Sequence, residues 1–321
     1  MNIAISKLFL SSALLSSTVF SVMALGTPQP AGRPPLQDAT VGNVDRHYVY
    51  SPQLADTVTV DVWTPQGYDA ARERPYPVIY MHDGQNLFDA STSWNHQSWE
   101  MDSVTGSLIA IGAIEAPVIV GIHSVSSTRK GDLMPQKALA YMAHDSNGES
   151  LANLLHGNAV RGDAYAAFLV ETLIPAMDSI YTLTKDMTQT SVMGSSMGGL
   201  MSVYAMCEYP DVFGNAACLS THWVGSLDGN PAYPEAMRRY LVDKLPRDGR
   251  HRLYLDHGTT SIDSLYGKWE ERMIEVADSL GYHAPETLET FVDEGAGHEE
   301  RFWARRVERP LRFLLGVCRK P

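Results

Sequence analysis

Residues Thr190–Tyr204 read TSVMGSSMGGLMSVY, and this stretch constrains the chain more than any other. Thr190 to Met193 is a short apolar, partly β-branched run, which predicts a strand. Gly194-Ser195-Ser196-Met197-Gly198 follows, then Gly199 and the helix-like apolar run Leu200–Cys207. A strand, a glycine turn with a central serine, and a helix together form a nucleophile elbow. The glycines are a steric requirement. A serine on so sharp a turn needs neighbours without side chains two positions away, so that strand and helix can pack closely. The helix start behind the serine aims backbone N–H groups at the same point, where they can hold an anionic oxygen.

The remainder of the chain alternates strand and helix patterns. His47–Ser51 and Val58–Thr64 alternate apolar and polar residues, as an antiparallel pair does. Short apolar runs at Pro77–Tyr80, Val118–Ile122, Asn215–Leu219 and Arg252–Asp256, with a last one beginning at Thr290–Val292, predict buried strands. Helical spacing marks Asp102–Ile111, Asp163–Ile180 with a kink at Pro175, Ser264–Gly281 and a closing helix at Phe302–Leu315. The irregular stretch from Ser124 to Gly162 predicts a long loop lining a cleft. This order implies an α/β protein, with a mostly parallel sheet of about eight strands and helices on both faces.

A serine hydroxyl attacks only when a base takes its proton, and the base needs an acid to orient it. His298 is the favoured base after Ser196, because Gly295 and Gly297 bound its loop, a strand precedes it and a helix follows. His251 and His283 read as structural or solvated. His222, at a strand's C-terminal end, and the adjacent Trp223 are candidates to touch substrate, as is Trp99. Two acids compete in the loop after the Arg252–Asp256 strand: Asp263 is preferred and Asp256 is the runner-up. The oxyanion hole calls for two backbone donors. Met197 supplies one, and Gln85 or Gly84, after the Pro77–Tyr80 strand, the other. His82, Asp83 and Asp89 could suggest a metal site, but neighbours at a strand end point to opposite faces. No phosphate-binding or dinucleotide fingerprint is present, so no cofactor and no metal are expected.

The address comes from the N-terminus. Lys7 is the one charge in residues 1–24, Leu8–Ala24 is mostly apolar, and small residues end the run, so residues 1–24 read as a cleaved signal peptide. Residues 25–44 read as a linker and 45–321 as a single catalytic domain. The expected location is secreted or periplasmic, with no stable membrane association after cleavage. Lys7 leaves with the leader, so 24 basic side chains then face 37 acidic ones. Such a balance argues against nucleic acid as a partner. The chain has 3 cysteines, too few for a disulfide scaffold. Cys207 and Cys218 read as small buried hydrophobes, with a bridge between them as the alternative.

With these residues placed, the chain resembles the putative-esterase branch of the α/β-hydrolase superfamily. That branch includes esterase D-like enzymes, feruloyl and acetylxylan esterases, and siderophore trilactone esterases. The stretches carrying the resemblance are YPVIYMHDGQNLFD (76–89), VIVGIHS (118–124), GDAYAAFLVETLIPAMDSIY (162–181), MGSSMGGL (193–200), LDHGTTSIDSL (255–265) and GAGHEERFW (295–303). In feruloyl-esterase relatives the acid follows a Gly-Thr turn as Asp-Ser-Leu, which matches Asp263-Ser264-Leu265, although two extra residues intervene here. The resemblance implies an α/β-hydrolase fold and a serine carboxylesterase acting on a small-molecule or carbohydrate ester. Other readings on the same scaffold are an acyltransferase and a non-catalytic binding protein. Trp94, Tyr141 and His144 join Trp99, His222 and Trp223 as candidates for an aromatic cleft suited to feruloyl or catechol groups.

Overall fold

The computed structural model describes residues 35–142 and 157–316. Strands β1 Asn43–Ser51, β2 Asp56–Thr64, β3 Val78–His82, β4 Val118–Ile122, β5 Thr190–Ser195, β6 Asn215–Leu219, β7 Arg252–Gly258 and β8 Leu288–Asp293 form one sheet. Their order is β1-β2-β4-β3-β5-β6-β7-β8. β1 pairs antiparallel with β2, and β2 antiparallel with β4. The other neighbours are parallel. β3 therefore lies between β4 and β5, and the chain leaves it in opposite directions. The C-terminal ends of strands at such a switch point form a crevice.

The central strands β3, β4, β5 and β6 are buried along their whole length, because both faces of the sheet are covered there. Val78, Tyr80, Val120, Val192 and Ala216 join one core with Phe168, Leu200, Tyr240 and Met273. These last four come from helices α2 Gly162–Phe168, α3 Met197–Glu208, α4 Ala232–Lys244 and α5 Gly267–Ser279. The alternate residues Ile79, Met81, Ile119, Met193 and Ala217 join a second core with Met101, Leu108, Leu311 and Phe313. Those come from α1 Met101–Ala110 and α6 Glu308–Leu315. The period-two alternation thus divides the helices between the faces. Each large apolar side chain so buried contributes about 1.5–3 kcal/mol.

Several expectations are refined. The helix expected over Asp163–Ile180 is α2, a π-helical stretch Leu169–Leu173, and a resumed α-turn Ile174–Asp178. Pro175 has no N–H to donate to the carbonyl four residues back, and the wider π-turn absorbs that loss. The closing helix is also split, into Glu300–Ala304 and α6. The break falls at residues 305–307, and Pro310 sits in the first turn of α6, where a missing N–H is tolerated; the Arg306 carbonyl accepts from the Arg309 N–H at 3.0 Å instead. The stretch expected as a linker is in part domain: β1 begins at Asn43, and Gln37 is buried. Gln37 donates to Asp61 Oδ2 at 2.7 Å and to the Gly84 carbonyl at 2.8 Å, and accepts from the Phe88 N–H at 3.0 Å. Cys207 and Cys218 are buried free thiols, which excludes the bridge. Residues 1–24, His144 and Cys318 lie outside the described residues. Among those described, no helix is long and apolar enough to cross a membrane.

Candidate active site

Ser196 stands between β5 and α3 with φ 57° and ψ −120°. Such a backbone costs a β-carbon residue about 1–3 kcal/mol, so the surroundings must impose it. They do so through the backbone. The Ser196 N–H donates to the Leu219 carbonyl at 3.0 Å, and its carbonyl accepts from the His222 N–H at 3.2 Å. A Cβ on Gly194 would lie 2.9 Å from the Gly198 carbonyl carbon, and one on Gly198 would lie 3.1 Å from His82 Cβ. Gly194 therefore lets the strand entering the turn touch the helix leaving it, and Gly198 lets that helix approach the end of β3.

His298 Nδ1 is 2.6 Å from Asp263 Oδ1. Asp263 is fully buried. Its Oδ2 accepts from Ser220 Oγ at 2.5 Å and from the Gly258 N–H at 2.8 Å. Burial alone would raise the Asp263 carboxyl, but His298, Ser220 and Gly258 outweigh it and hold the group below its ordinary range. Ser220 Oγ also receives the Trp303 indole N–H at 3.0 Å and Arg306 Nη2 at 2.8 Å. A hydroxyl has one proton and two lone pairs. With both lone pairs taken, the proton of Ser220 has to go to Asp263. Among the described residues Asp256, the rival acid, shares no hydrogen bond with His298. Arg306 reaches it at 2.8 and 3.1 Å, and the Tyr254 hydroxyl at 3.0 Å. Burial raises its carboxyl, with Arg306 working against the rise.

Ser196 and His298 line one cleft of about 840 Å³, together with Gln85, Trp99, Arg129 and Trp303. Among the described residues no hydrogen bond joins Ser196 Oγ to His298; the His298 ring is held edge-on to Tyr266 at 5.7 Å and to Trp303 at 5.1 Å. Met197 is the first residue of α3, and Gln85 is the middle of the helical turn Gly84–Asn86. Among the described residues neither main-chain N–H is donated to another carbonyl. Asp83 sets that turn with a left-handed φ of 57°. The Asp83 carboxylate is gripped by Arg129 through two contacts of 2.7 Å and by Ser124 Oγ at 2.6 Å. Gln85 Nε2 donates to Ser124 Oγ at 3.0 Å, and Gln85 Oε1 accepts the Ser124 N–H at 3.1 Å, which fixes the loop carrying the Gln85 N–H.

His82 turns away from Asp83 and meets the Tyr165 hydroxyl at 2.9 Å, while the Asp89 carboxylate accepts the Ser91 N–H. Among the described residues no group of three or more His, Cys, Asp or Glu could hold a metal ion.

Of the aromatic candidates, Trp99 and the 81% exposed Trp94 line the cleft. His222 and Trp223 do not. Trp223 is fully buried and donates its indole N–H toward Glu270 at 3.4 Å. His222 is committed to the Tyr266 hydroxyl at 2.8 Å and the Gly225 carbonyl at 3.1 Å. Their position after β6 brings them near the site but behind its wall. Tyr141 reaches Asp243 instead. Sequence reasoning missed Ser220, Tyr266, Trp303 and Arg306. Ser220 directly follows β6, and a polar residue at the C-terminal edge of a central strand is the signal that could have found it.

The sheet order and the elbow together define an α/β-hydrolase fold. The chain matches the family described as Putative esterase over residues 51–309. It belongs to that family. It is 23% identical over 282 residues to an endo-1,4-beta-xylanase/feruloyl esterase of Xylanibacter ruminicola, covering 87% of this chain and 32% of that protein. It is 28% identical over 155 residues to the ferri-bacillibactin esterase BesA of Bacillus subtilis, covering 46% of this chain and 49% of BesA. The chain thus spans about a third and about half of these relatives' lengths. Among solved structures, an IroE-like serine hydrolase from Shewanella oneidensis superposes with a TM-score of 0.62 at 18% identity, covering 85% of this chain and 80% of that one. The enterobactin esterase FES from Shigella flexneri superposes with a TM-score of 0.62 at 17% identity, covering 87% of this chain and 60% of that one. At such identity these superpositions establish the fold.

Proposed function

We propose that this protein is an exported serine carboxylesterase working through an acyl-enzyme, with Ser196 as nucleophile, His298 as general base and acid, and Asp263 orienting His298. The observation that carries the reading is the 2.6 Å contact between His298 Nδ1 and the fully buried Asp263, in a loop that opens on the same cleft as the strained Ser196. An ionised Asp263 accepts the Nδ1 proton, leaving His298 Nε2 bare to receive the proton of Ser196 Oγ. Oγ then bonds to the ester carbonyl carbon, and the negative oxygen that forms is held by the main-chain N–H groups of Met197 and Gln85. His298 returns the proton to the departing alcohol, and water reverses the sequence to free the acid.

Relatives named for feruloyl esters and for a siderophore support an aromatic or trilactone ester as substrate. The indoles of Trp94, Trp99 and Trp303 along the cleft agree with an aromatic group. Replacing Ser196 by Ala is expected to abolish hydrolysis of p-nitrophenyl acetate and labelling by a fluorophosphonate, with native circular dichroism; retained turnover would end the proposal. Methyl ferulate, acetylated xylan and a catecholate trilactone, assayed side by side, identify the ester. Product analysis with added alcohols separates hydrolysis from acyl transfer. The apolar N-terminal leader supports export to the periplasm or beyond.

A further inference from the structure

Glu300 opens the short helix Glu300–Ala304, two residues after His298. It is buried, and it lines the cleft. Arg129 is bound to Asp83 and Arg301 to Glu299, and among the described residues no ion pair reaches Glu300. Two asparagines satisfy its oxygens instead. Asn86 Nδ2 donates to Oε1 at 3.0 Å, across 214 residues of chain, and Asn95 Nδ2 donates to Oε2 at 2.5 Å. The directions of these bonds are set by their surroundings. Asn95 Oδ1 accepts the Gln97 N–H at 3.1 Å, so its NH₂ has to face Glu300. Asn86 Oδ1 is buried without a partner, so the bond to Glu300 is the single tie of that side chain among the described residues. A buried carboxylate held only by neutral amides is costly. An apolar side chain of that size would fill the space without the cost, so the contact calls for a purpose beyond packing.

We infer that Glu300 is a positioning residue: it ties the turn that carries the oxyanion donor to the element that carries the base, and so sets the spacing between them. Asn86 is the last residue of the turn Gly84–Asn86, whose middle residue, Gln85, presents the donor N–H. The inference rests on the catalytic reading of Ser196, His298 and Gln85 above, and adds what holds the two halves of that machinery in register. Other contacts hold each half separately. Ser124 and Arg129, from the segment after β4, hold Asp83 and Gln85. Asp263, from the segment after β7, holds His298. Neither set joins the turn to the histidine. Three further contacts between the two segments act on later residues. The Arg301 N–H donates to Gln97 Oε1 at 3.1 Å, Gln97 Nε2 reaches Glu299 Oε2 at 3.3 Å, and the rings of Trp99 and Trp303 lie 5.3 Å apart. The bond from Glu300 to Asn86 is the one among them that reaches the turn itself. In the tetrahedral state the new anionic oxygen must meet the Gln85 N–H while His298 holds the proton of Ser196. Both demands fall on one small group of atoms, so an error in spacing weakens the transition state more than the bound ester.

The test compares Glu300→Ala with Glu300→Gln in steady-state hydrolysis of p-nitrophenyl acetate. Glutamine keeps the tie. Its oxygen takes the Asn95 NH₂, its own NH₂ faces Asn86, and the Asn86 amide flips to accept with the oxygen that has no other partner. Alanine removes the tie. A misplaced donor costs less than a deleted one, so Glu300→Ala is expected to lose kcat roughly ten- to hundredfold while KM stays within about threefold. Glu300→Gln should keep kcat within about threefold of the wild type. A trifluoromethyl ketone forms an adduct with Ser196 that carries the same oxyanion. Its Ki should rise in Glu300→Ala by the factor by which kcat/KM falls. A folded Glu300→Ala with lowered Tm but wild-type kcat and Ki overturns the inference, because Glu300 then only supports the fold. A Glu300→Gln that loses as much kcat as Glu300→Ala also overturns it, because the charge and not the tie would then be acting. Should Glu300→Ala not fold, Asn86→Ala removes the same bond from its other end. The same loss of kcat there supports the inference, and a wild-type kcat refutes it. A wild type that hydrolyses no ester, or a Ser196→Ala that stays active, would instead refute the function proposed above.

Discussion

Replacing Asp263 by Asn tests which carboxylate orients the base. The structure dictates how an asparagine would sit. Ser220 Oγ–H and the Gly258 N–H both donate into the Oδ2 position. Ser220 cannot turn its proton elsewhere, because Trp303 and Arg306 occupy its lone pairs. The amide oxygen must therefore take the Oδ2 place, and the amide NH₂ must face His298 Nδ1. Two donors cannot meet, so His298 shifts its proton to Nε2, the nitrogen that should accept from Ser196. With the wrong tautomer, kcat is expected to fall about 10⁴-fold, the size of that effect in the serine protease triad, or about 5.5 kcal/mol in the barrier. KM and circular dichroism should change little, because the side-chain volume is conserved. The paired control is Asp256→Asn. Asp256 is bound to Arg306 and not to His298, so its loss should lower Tm while kcat falls less than tenfold. The assay is steady-state hydrolysis of p-nitrophenyl acetate for both variants. A near-normal kcat in Asp263→Asn, with a collapse in Asp256→Asn, would refute the reasoning and exchange the two roles.

Gly194→Ala should destabilise the protein by about 1–3 kcal/mol, as overpacking does, and slow fluorophosphonate labelling, because its Cβ would meet Gly198 backbone at 2.9 Å. Unfolding by urea monitors the first effect. Burial would raise the Asp61 carboxyl, but Arg46, His123 and Gln37 outweigh it and lower the group from 3.8 to about 2. Its folded value is depressed, so this stabilisation is complete above pH 3.8 and is lost as pH falls through about 2. Asp61→Asn should remove about 2 kcal/mol of that acid-dependent stability, read from urea unfolding at stepped pH. Trp94 is 81% exposed at the cleft mouth, so Trp94→Ala should raise KM severalfold for methyl ferulate and leave p-nitrophenyl acetate unchanged. Equal effects on both esters would remove Trp94 from substrate contact.

Contacts set within a few residues were legible, and contacts across the fold were not. The elbow could be read because its strand, glycines and helix start are consecutive. His298 could be read because two glycines bracket it at a strand end. Gln37, 24 residues from Asp61, and Arg306, 50 residues from Asp256, gave no local sign of their partners. His222 and Trp223 were placed at the correct strand end, but burial depends on what packs over it. There, Tyr266 and Glu270 take both side chains away from the cleft.

The sequence by itself determined an alternating α/β order, a strained serine turn and a histidine loop, since periodicity and backbone sterics act locally. The tertiary structure alone decided which aspartate meets His298. Arg306 neutralises one carboxylate, and Ser220, with a single proton to give, aligns the other. That choice is a competition among charges and hydrogen-bond donors drawn from β6, β7 and the C-terminal helices, and only their packing brings them together.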